Sequence, residues 1–476
     1  MKRTLFLMPA TSLVLLGCAI GPNYTAPDLG APNTYRFGGE SRSSLGDLDW
    51  RSVYKDPVLR ELIEEALANN LDLKAAAARI QQAHANLQVV RSQFFPTIGV
   101  AYDYNRSEVS KDIDFKNLDL SAGFDTEQNA LGLGMMQYEV DFWGKIRRAS
   151  ESAQALVFAT EDARRTLEVS LIASMATAYL TLREQDHELD IARRTLETRK
   201  ESLGLITTRQ QGGQSALTDV KQADVLVAEA EAAIKVIERQ IAQLENTLSY
   251  LAGRAPDSVR RSRTYQKSSL VSAAPAGLPS DLLTRRPDIR SAEQQLISAT
   301  ANIGVAEARL LPSFTLTASA GLRSKDFSDL FDEPTKLWQI GPAVSVPVFT
   351  GGRLLAGIRG SKALRDEAEA AYRRTVLQGL REVSDALSAR QKNAGLSAAR
   401  ARIVNSRQDA LGLIRESYQN GATSYLEVLY NDQQLFGAEL DLARAELDEM
   451  LATVQLYRAL GGGWDKSTVP TTAKPH

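Results

Sequence analysis

The chain has 476 residues, of which 43% are hydrophobic and 24% charged, and its formal net charge is −2. These values are typical of an ordinary folded protein. The slightly acidic balance argues against a nucleic-acid partner, which calls for a basic surface. Beyond the N-terminus the sequence contains no run of 18 uninterrupted apolar residues. Any crossing of a membrane is therefore expected to use β-strands rather than helices.

The N-terminus has the layout of a secretory signal that ends in a lipoprotein cleavage site. Two basic residues, Lys2 and Arg3, precede an apolar run that is too short to span a membrane and that ends just before Cys18. We predict a signal peptide over residues 1–17. Cys18 is the only cysteine, so it cannot form an internal disulfide, and its position predicts acylation; the alternative is a chance cysteine in a signal peptide. Ala19 replaces the Asp that favours retention in the inner membrane of enterobacteria, which indicates the outer membrane.

The remainder of the chain repeats itself. Residues 85–98 recur at 301–314, displaced by 216 positions, and residues 211–220 recur at 419–428, displaced by 208. Self-similarity of this kind predicts a tandem duplication. The expected segments are a signal peptide (1–17), a lipidated N-terminal segment (18–55), a first repeat (56–253), a linker (254–279), a second repeat (280–463) and a polar tail (464–476).

Very long helices are predicted in both repeats. No proline occurs between Pro96 and Pro256, and one helical pattern runs from Lys145 to about Thr208, which corresponds to roughly 90 Å. Two helices show apolar residues at alternating steps of three and four, the spacing of a coiled-coil seam. The first seam is Val227, Ala230, Ile234, Ile237, Ile241, Leu244, Leu248 and Leu251; the second is Leu426, Leu429, Gln433, Phe436, Leu440, Ala443, Leu447, Met450, Val454 and Tyr457. Taken alone, such seams also fit a plain coiled coil.

Two pairs of strands are predicted between the helices. Apolar residues alternate with small or polar ones over 97–105 and 313–322, and the partner strands are 131–142 and 338–349. Runs of about ten such residues fit tilted transmembrane strands with one face toward lipid. In the second strand the alternation changes phase near Met135-Met136, which predicts a β-bulge. The alternative is a soluble hairpin packed on a core.

Four strands cannot close a barrel, and open sheet edges are not tolerated in lipid. If the strands cross a membrane, several chains must therefore contribute to one barrel.

Several motifs resemble those of a known family. They are Cys18–Tyr24 with Pro27, Asp56–Ile63 with Ala66, Asn70 and Asp72, Gly277–Leu283 followed by Arg285–Arg290, and Ala459–Trp464. Together they resemble the TolC-type outer-membrane efflux channels, in the lipoprotein branch of multidrug and NodT-like factors. The similarity covers nearly the whole mature chain.

The resemblance implies a mainly α-helical fold with a transmembrane β-barrel. In a homotrimer, each chain would give four strands to a twelve-stranded barrel and its long coiled-coil helices to an α-helical barrel through the periplasm. The implied role is a passive exit duct for drugs or other small toxic compounds. It would work in the outer membrane, lipid-anchored, with a periplasmic adaptor and an inner-membrane pump, and without a cofactor.

Two helix-hairpin tips are candidate adaptor contacts. Their residues are Arg209, Gly213 and Ser215 in the first repeat and Tyr418, Gly421 and Thr423 in the second. Glycine permits a tight reversal, and the Ser and Thr are expected to cap the helices that follow. The resemblance implies that these tips form the periplasmic end and meet the adaptor. Turn formation alone is the alternative reading.

A periplasmic gate is implied near the start of the last helix. In the family a Leu and, four residues on, an Asp close the pore. Leu426 matches the Leu, but Tyr430 stands at the Asp position, followed by Asn431 and Asp432. A Tyr ring would narrow the pore by its bulk, and Asp432 is the nearest acidic candidate. Leu426 also falls on the predicted seam, so packing is the alternative role.

Nothing in the sequence indicates an enzyme or a metal site. The chain has three histidines, His84, His187 and His476, and no His-Glu-x-x-His or phosphate-binding loop. The run Arg285–Asp288 reads as a helix start with Pro near its first turn. Two other functions remain open at this point: a type I protein secretion channel, which would share the fold, and a periplasmic coiled-coil lipoprotein that forms no channel.

Overall fold

The computed structural model describes residues 19–30, 32–38, 43–108, 125–262, 276–332 and 334–464. The predicted signal peptide, Cys18, half of the linker and nearly all of the polar tail lie outside the described residues. The helices are α1 (Trp50–Val53), α2 (Pro57–Asn69), α3 (Leu71–Ser92), α4 (Lys145–Gln211), α5 (Leu217–Leu251), α6 (Leu282–Arg285), α7 (Pro287–Ala308), α8 (Asp329–Asp332), α9 (Arg353–Gln419) and α10 (Tyr425–Ala459). The strands are β1 (Ile98–Glu108), β2 (Asp125–Val140), β3 (Ser313–Ser324) and β4 (Thr335–Ser345).

The duplication is visible in the order of the elements. The series helix, strand, strand, long helix, long helix occurs once as α3–β1–β2–α4–α5 and again as α7–β3–β4–α9–α10, where the short helix α8 lies between β3 and β4. Helices α4 and α9 have 67 residues each, and α5 and α10 have 35 each. A helix of 67 residues extends over about 100 Å. None of the helices in the described ranges is both long and apolar enough to cross a membrane.

The described residues form two compact units. The first contains residues 19–27, 81–158 and 294–370, and the second contains residues 28–80, 159–293 and 371–464, apart from the undescribed positions. The first unit holds the four strands and the second holds most of the long helices.

The four strands of the first unit form one antiparallel sheet in the order β1-β2-β3-β4. The predicted bulge in β2 is confirmed. Met135 pairs with Ala318 and Tyr138 with Leu316, so two residues of β2 stand opposite the single residue Thr317. The extra residue reverses the alternation of β2 beyond this point.

One face of the sheet is apolar and exposed. The register aligns Val100, Leu133, Ala320 and Trp338 in one row across the four strands. The side chain of Trp338 is 78% exposed, and Val100 and Leu133 are also exposed. The adjacent row, Gly99, Gly134, Ser319 and Gln339, is small or polar. A contiguous exposed apolar face marks a surface that contacts lipid or another protein.

In the second unit the predicted α5 seam forms a buried face. Val227, Ala230, Ile234, Ile237 and Leu248 are buried. The predicted α10 seam is correct in its C-terminal half, where Ala443, Leu447, Met450, Val454 and Tyr457 are buried. It is wrong at Leu426 and Gln433, which are exposed. Near the hairpin tip, α10 instead turns Tyr425, Val428 and Leu429 inward, because a straight helix of 3.6 residues per turn drifts from a strict heptad.

The helix start predicted at Arg285–Asp288 is confirmed, since α7 begins at Pro287. The buried Arg286 guanidinium donates hydrogen bonds to Asp288, to Glu382 at 2.8 Å and to the carbonyl oxygen of Ala459 at 3.0 Å. It thus joins the start of α7 and the end of α10 to the middle of α9 in the second unit, which is a structural role.

The two faces of the sheet predict unequal effects of a charge. Leu316→Arg places a guanidinium on the apolar face and should destabilise the membrane-inserted form by about 2 to 4 kcal/mol near the bilayer midplane. Thr317→Arg points to the opposite face and should cost less. The measurement is the amount of assembled protein in outer-membrane fractions. Equal losses for the two variants would contradict a lipid-facing sheet.

Candidate functional site

Both predicted hairpin tips are reversals between long helices, α4 to α5 and α9 to α10. Gly213 and Gly421 have φ angles of 76° and 75°, in the left-handed region that favours glycine. At the first tip the amide of Gln214 donates to the carbonyl of Arg209 at 2.8 Å, and at the second Ala422 donates to Ser417 at 2.9 Å. Each of these hydrogen bonds joins residues five positions apart, which is the pattern that ends a helix in a Schellman motif. The two tips therefore have the same backbone construction.

The expected capping by Ser215 and Thr423 is wrong. The N-cap residues of α5 and α10 are Ala216 and Ser424, and neither makes a side-chain capping hydrogen bond. Ser215 and Thr423 each lie one residue before the cap, because the turns extend one residue further than expected. Their hydroxyl groups are thus left for other contacts.

The structure brings the two tips together through their aromatic and basic residues. The Arg209 guanidinium lies over the ring of Tyr418, 5.1 Å from its centroid, in cation–π geometry. The rings of Tyr418 and Tyr425 are 5.3 Å apart. Burial raises the pKa of Tyr425 to about 12. Below the tips, a cluster of apolar side chains from α4, α5, α9 and α10 is buried: Ile206, Ala223, Leu226, Leu411, Tyr425, Val428 and Leu429.

The three predicted gate residues do not share one face of α10. The side chains of Leu426 and Tyr430 are 58% and 55% exposed, and their spacing of four places them on one side of the helix. Asp432 lies on the opposite side, and its side chain is 13% exposed. Of the three predicted gate residues, only Leu426 and Tyr430 are therefore exposed on α10.

Asp432 is held in an ion-pair network that connects all four long helices. Arg199 of α4 donates to the Asp432 carboxylate at 2.8 Å and also to the carbonyl oxygen of Leu226 in α5 at 2.8 Å. Arg415 of α9 donates to the other carboxylate oxygen at 3.3 Å. Arg199 also lies over the ring of Phe436. A buried charge of this kind is tolerated because it is paired and hydrogen-bonded.

The sequence reasoning missed Arg199 and Arg415. A signal for Arg199 does exist, because it lies seven residues from Ala192 and from Ile206, both buried. Arg199 thus lies between two buried apolar residues at the same heptad spacing, which marks a specifying polar residue. Arg415 carries no comparable signal.

A second buried polar cluster lies further along the same helices. Glu184 and Glu188 of α4 are each 1% exposed. Gln185 donates to Glu184 at 2.8 Å and to Glu188 at 3.3 Å, and Arg444 of α10 donates to Glu188 at 2.8 Å. One arginine thus faces two carboxylates. Burial, reinforced by Glu188, raises the pKa of Glu184 to about 7.

The Glu184 pKa predicts a pH-dependent stability. Because the pKa is higher in the folded than in the unfolded chain, folding loses stability as the pH rises from about 4.5 through 7. Glu184→Gln removes the buried charge, so the variant should melt at a higher temperature than the wild type at about pH 8. The difference should vanish below pH 4.5. Thermal unfolding across pH measures it.

The matched control is Glu231→Gln, which changes an exposed carboxylate on α5 that pairs with Lys200. This control should leave the melting temperature nearly unchanged. A difference between Glu184→Gln and the wild type that does not vary with pH would contradict the assignment.

Among the described residues, no three His, Cys, Asp or Glu side chains form a group that could hold a metal ion.

Duplicated long-helix hairpins joined to a sheet with an exposed apolar face define the class of outer-membrane channel proteins. The sequence profile described as outer membrane efflux protein matches residues 62–254 and 278–462. The chain belongs to the outer membrane efflux protein family.

Related proteins match this chain over nearly its full length. The solvent efflux pump outer membrane protein SrpC of Pseudomonas putida is 35% identical over 472 residues, covering 97% of this chain and 98% of SrpC. The solved outer-membrane channel OprN has a TM-score of 0.86 and 31% identity, covering 94% of this chain and 100% of OprN. The open state of the Neisseria gonorrhoeae channel MtrE has a TM-score of 0.84 and 30% identity, covering 94% and 98%.

These matches confirm the predicted family and the TolC-type fold. They also confirm the role as an outer-membrane channel component of an efflux pump. The plain coiled-coil lipoprotein, which forms no channel, is thereby set aside.

Proposed function

We propose that three copies of this chain form the passive exit duct of a tripartite efflux system. The duct receives small toxic compounds from an inner-membrane pump through a periplasmic adaptor. The observation that carries the proposal is the four-stranded sheet, whose apolar face is exposed and whose edges, β1 and β4, pair with no further strand among the described residues.

The open edges support a closed assembly. Unpaired backbone N–H and C=O groups cost several kcal/mol each in hydrocarbon. Joining β4 of one copy to β1 of the next would satisfy these groups, and three copies supply the twelve strands that the family resemblance implies. The transported compounds are proposed to be small apolar molecules such as organic solvents, since the relative SrpC is named for solvent efflux.

The hairpin tips are proposed as the adaptor-docking end. The residues proposed for docking are Arg209, Gly213 and Ser215 of the first tip and Tyr418, Gly421 and Thr423 of the second. The cation–π contact between Arg209 and Tyr418 joins the two hairpins. Because Ser215 and Thr423 are not used as helix caps, their hydroxyls are available to a partner.

The gate is proposed to consist of Leu426 and Tyr430, which project from the exposed face of α10. Asp432 contributes differently. Through Arg199 and Arg415 it ties α10 to α4 and α9, and so holds the helix that carries the two pore-lining side chains. An acidic ring at this level is not part of the proposal.

The gate proposal is tested with the double variant Leu426→Ala and Tyr430→Ala. Since both side chains are exposed in the chain, their removal should leave trimer yield unchanged and raise the conductance of purified trimers in planar bilayers. If the residues instead pack between helices, the variant should lose stability, by about 2 to 5 kcal/mol per large apolar side chain. Heat-dissociation gels measure the trimer yield.

The control is Leu217→Ala, which removes an equally exposed leucine at the start of α5. It should change neither conductance nor trimer yield. Trimers of normal abundance with unchanged conductance in the double variant would contradict the gate.

Lipid anchoring at Cys18 is part of the proposal and lies outside the described residues. Wild-type protein should incorporate labelled palmitate, and Cys18→Ser should abolish the label, while the sheet can still insert because its apolar face does not depend on the lipid. Absence of label in the wild type would show that the chain is not a lipoprotein.

A further inference from the structure

The first residues after the predicted acylation site are bound to the body of the protein. We call Ala19–Asn23 the N-terminal strap. The amide of Ile20 donates to the carbonyl oxygen of Trp143 at 3.1 Å. Trp143 follows β2 by three residues, and its indole N–H donates to the carbonyl oxygen of Pro312, just before β3, at 2.7 Å. The strap therefore lies where the strands β2 and β3 meet their helices.

One arginine makes most of the polar contacts to the strap. Arg148, in the first turn of α4, is buried. Its Nε donates to the carbonyl oxygen of Ile20 at 3.1 Å, and its Nη2 donates to that of Gly21 at 3.2 Å and to Oδ1 of Asn23 at 2.6 Å. Its Nη1 donates to Glu151 at 2.8 Å. A single guanidinium thus donates hydrogen bonds to the backbone of two strap residues and to the side chain of a third.

Two glycines make the close approach possible. Gly21 has a φ of 100°, and a Cβ added there would lie 2.4 Å from Cα of Gly304 in α7. Conversely, a Cβ at Gly304 would lie 2.4 Å from the carbonyl oxygen of Ile20 and 2.9 Å from Cγ of Arg148. Any larger residue at either position would push the strap away from α7 and Arg148.

The strap-binding site formed by Gly304 and Arg148 is not repeated at the positions related to it by the duplication. The two repeats are displaced by 216 residues at α3 and α7 and by 208 at α4 and α9, so the counterparts of Gly304 and Arg148 are Gln88 and Ala356. Both counterparts are exposed. A longer side chain replaces the glycine and a methyl group replaces the guanidinium. The site related to this one by the duplication therefore lacks both residues that contact the strap.

We propose that Arg148 and the Gly21–Gly304 contact form a clamp that fixes the start of the mature chain at the helical end of the sheet. The clamp thereby sets the point at which the lipid anchor leaves the protein. The statement about the anchor rests on the proposed acylation of Cys18, which directly precedes the strap in the sequence. The clamp itself does not depend on acylation.

The test is hydrogen–deuterium exchange of peptides covering residues 19–27 in purified full-length trimers. Arg148→Ala should speed exchange in this segment at least about tenfold, because the hydrogen bonds that hold the strap are lost. The control Glu151→Ala removes the partner of Arg148 that lies outside the strap, and should leave the exchange as in the wild type.

A second variant keeps the test valid if Arg148→Ala fails to assemble. Gly304→Ala favours the helix but places a methyl group against Ile20, so it should free the strap at normal trimer yield. Its control is Gly357→Ala in α9, where an added Cβ meets nothing within 4 Å, and which should not alter exchange at the strap.

Mass measurement of the N-terminal peptide that includes Cys18 reports acylation separately. The clamp would be overturned if the strap exchanged at the wild-type rate in Gly304→Ala, and in Arg148→Ala if that variant assembles. This outcome does not depend on whether the peptide is acylated. If the wild-type strap exchanges slowly but its N-terminal peptide carries no added acyl mass, the clamp is supported. The proposed acylation of Cys18, and with it the position of the lipid anchor, would then be wrong.

Discussion

The unpaired edges of the four-stranded sheet impose the main constraint on this protein. In water, the exposed apolar face that contains Val100 and Trp338 is unfavourable. In lipid, the apolar face is stable but the open backbone groups of β1 and β4 are not. Closure with strands from further copies of the chain satisfies both conditions at once. The duplication follows the same logic, because each repeat supplies one strand pair together with the long helical hairpin that continues from it.

Charged groups inside the helical seams give the hairpins their register. An apolar heptad seam permits neighbouring helices to slide by one repeat at little cost. Arg199 bonded to Asp432, and Glu188 bonded to Arg444, match only in one alignment of α4 with α10. Burying these charges contributes little net stability, since desolvation offsets most of the attraction. We infer that they select one arrangement among several of similar packing energy.

The sequence was most informative where local periodicity determines the structure. Alternation with period two predicted all four strands, and its change of phase predicted the bulge between Met135 and Tyr138. The absence of proline predicted the length of α4. The predictions failed where a distant residue decides the outcome. Arg199 and Asp432 are 233 positions apart, and Arg148 and Ile20 are 128 apart. No pattern within one element reports such pairs.

Two local predictions are wrong near the hairpin tips. The heptad count placed Leu426 in a seam, although the packing of α10 near its tip is set by Tyr425 and the cluster around it. The expected caps at Ser215 and Thr423 were one residue early, because the N-caps of α5 and α10 are Ala216 and Ser424.

The bulge in β2 also limits how the strand can change in evolution. Before it, Leu131 and Leu133 align with the apolar row, and after it Val140 aligns with Phe314 on that same face. Glu139 consequently faces the other way, where it pairs with Lys145. Regular pairing without the bulge would turn the Glu139 carboxylate toward lipid, whereas deleting the extra residue would make the alternation regular and keep Val140 on the apolar face. Single-residue insertions and deletions elsewhere in this strand should therefore be purged unless a second one restores the phase, whereas substitutions that keep side-chain polarity remain open to drift.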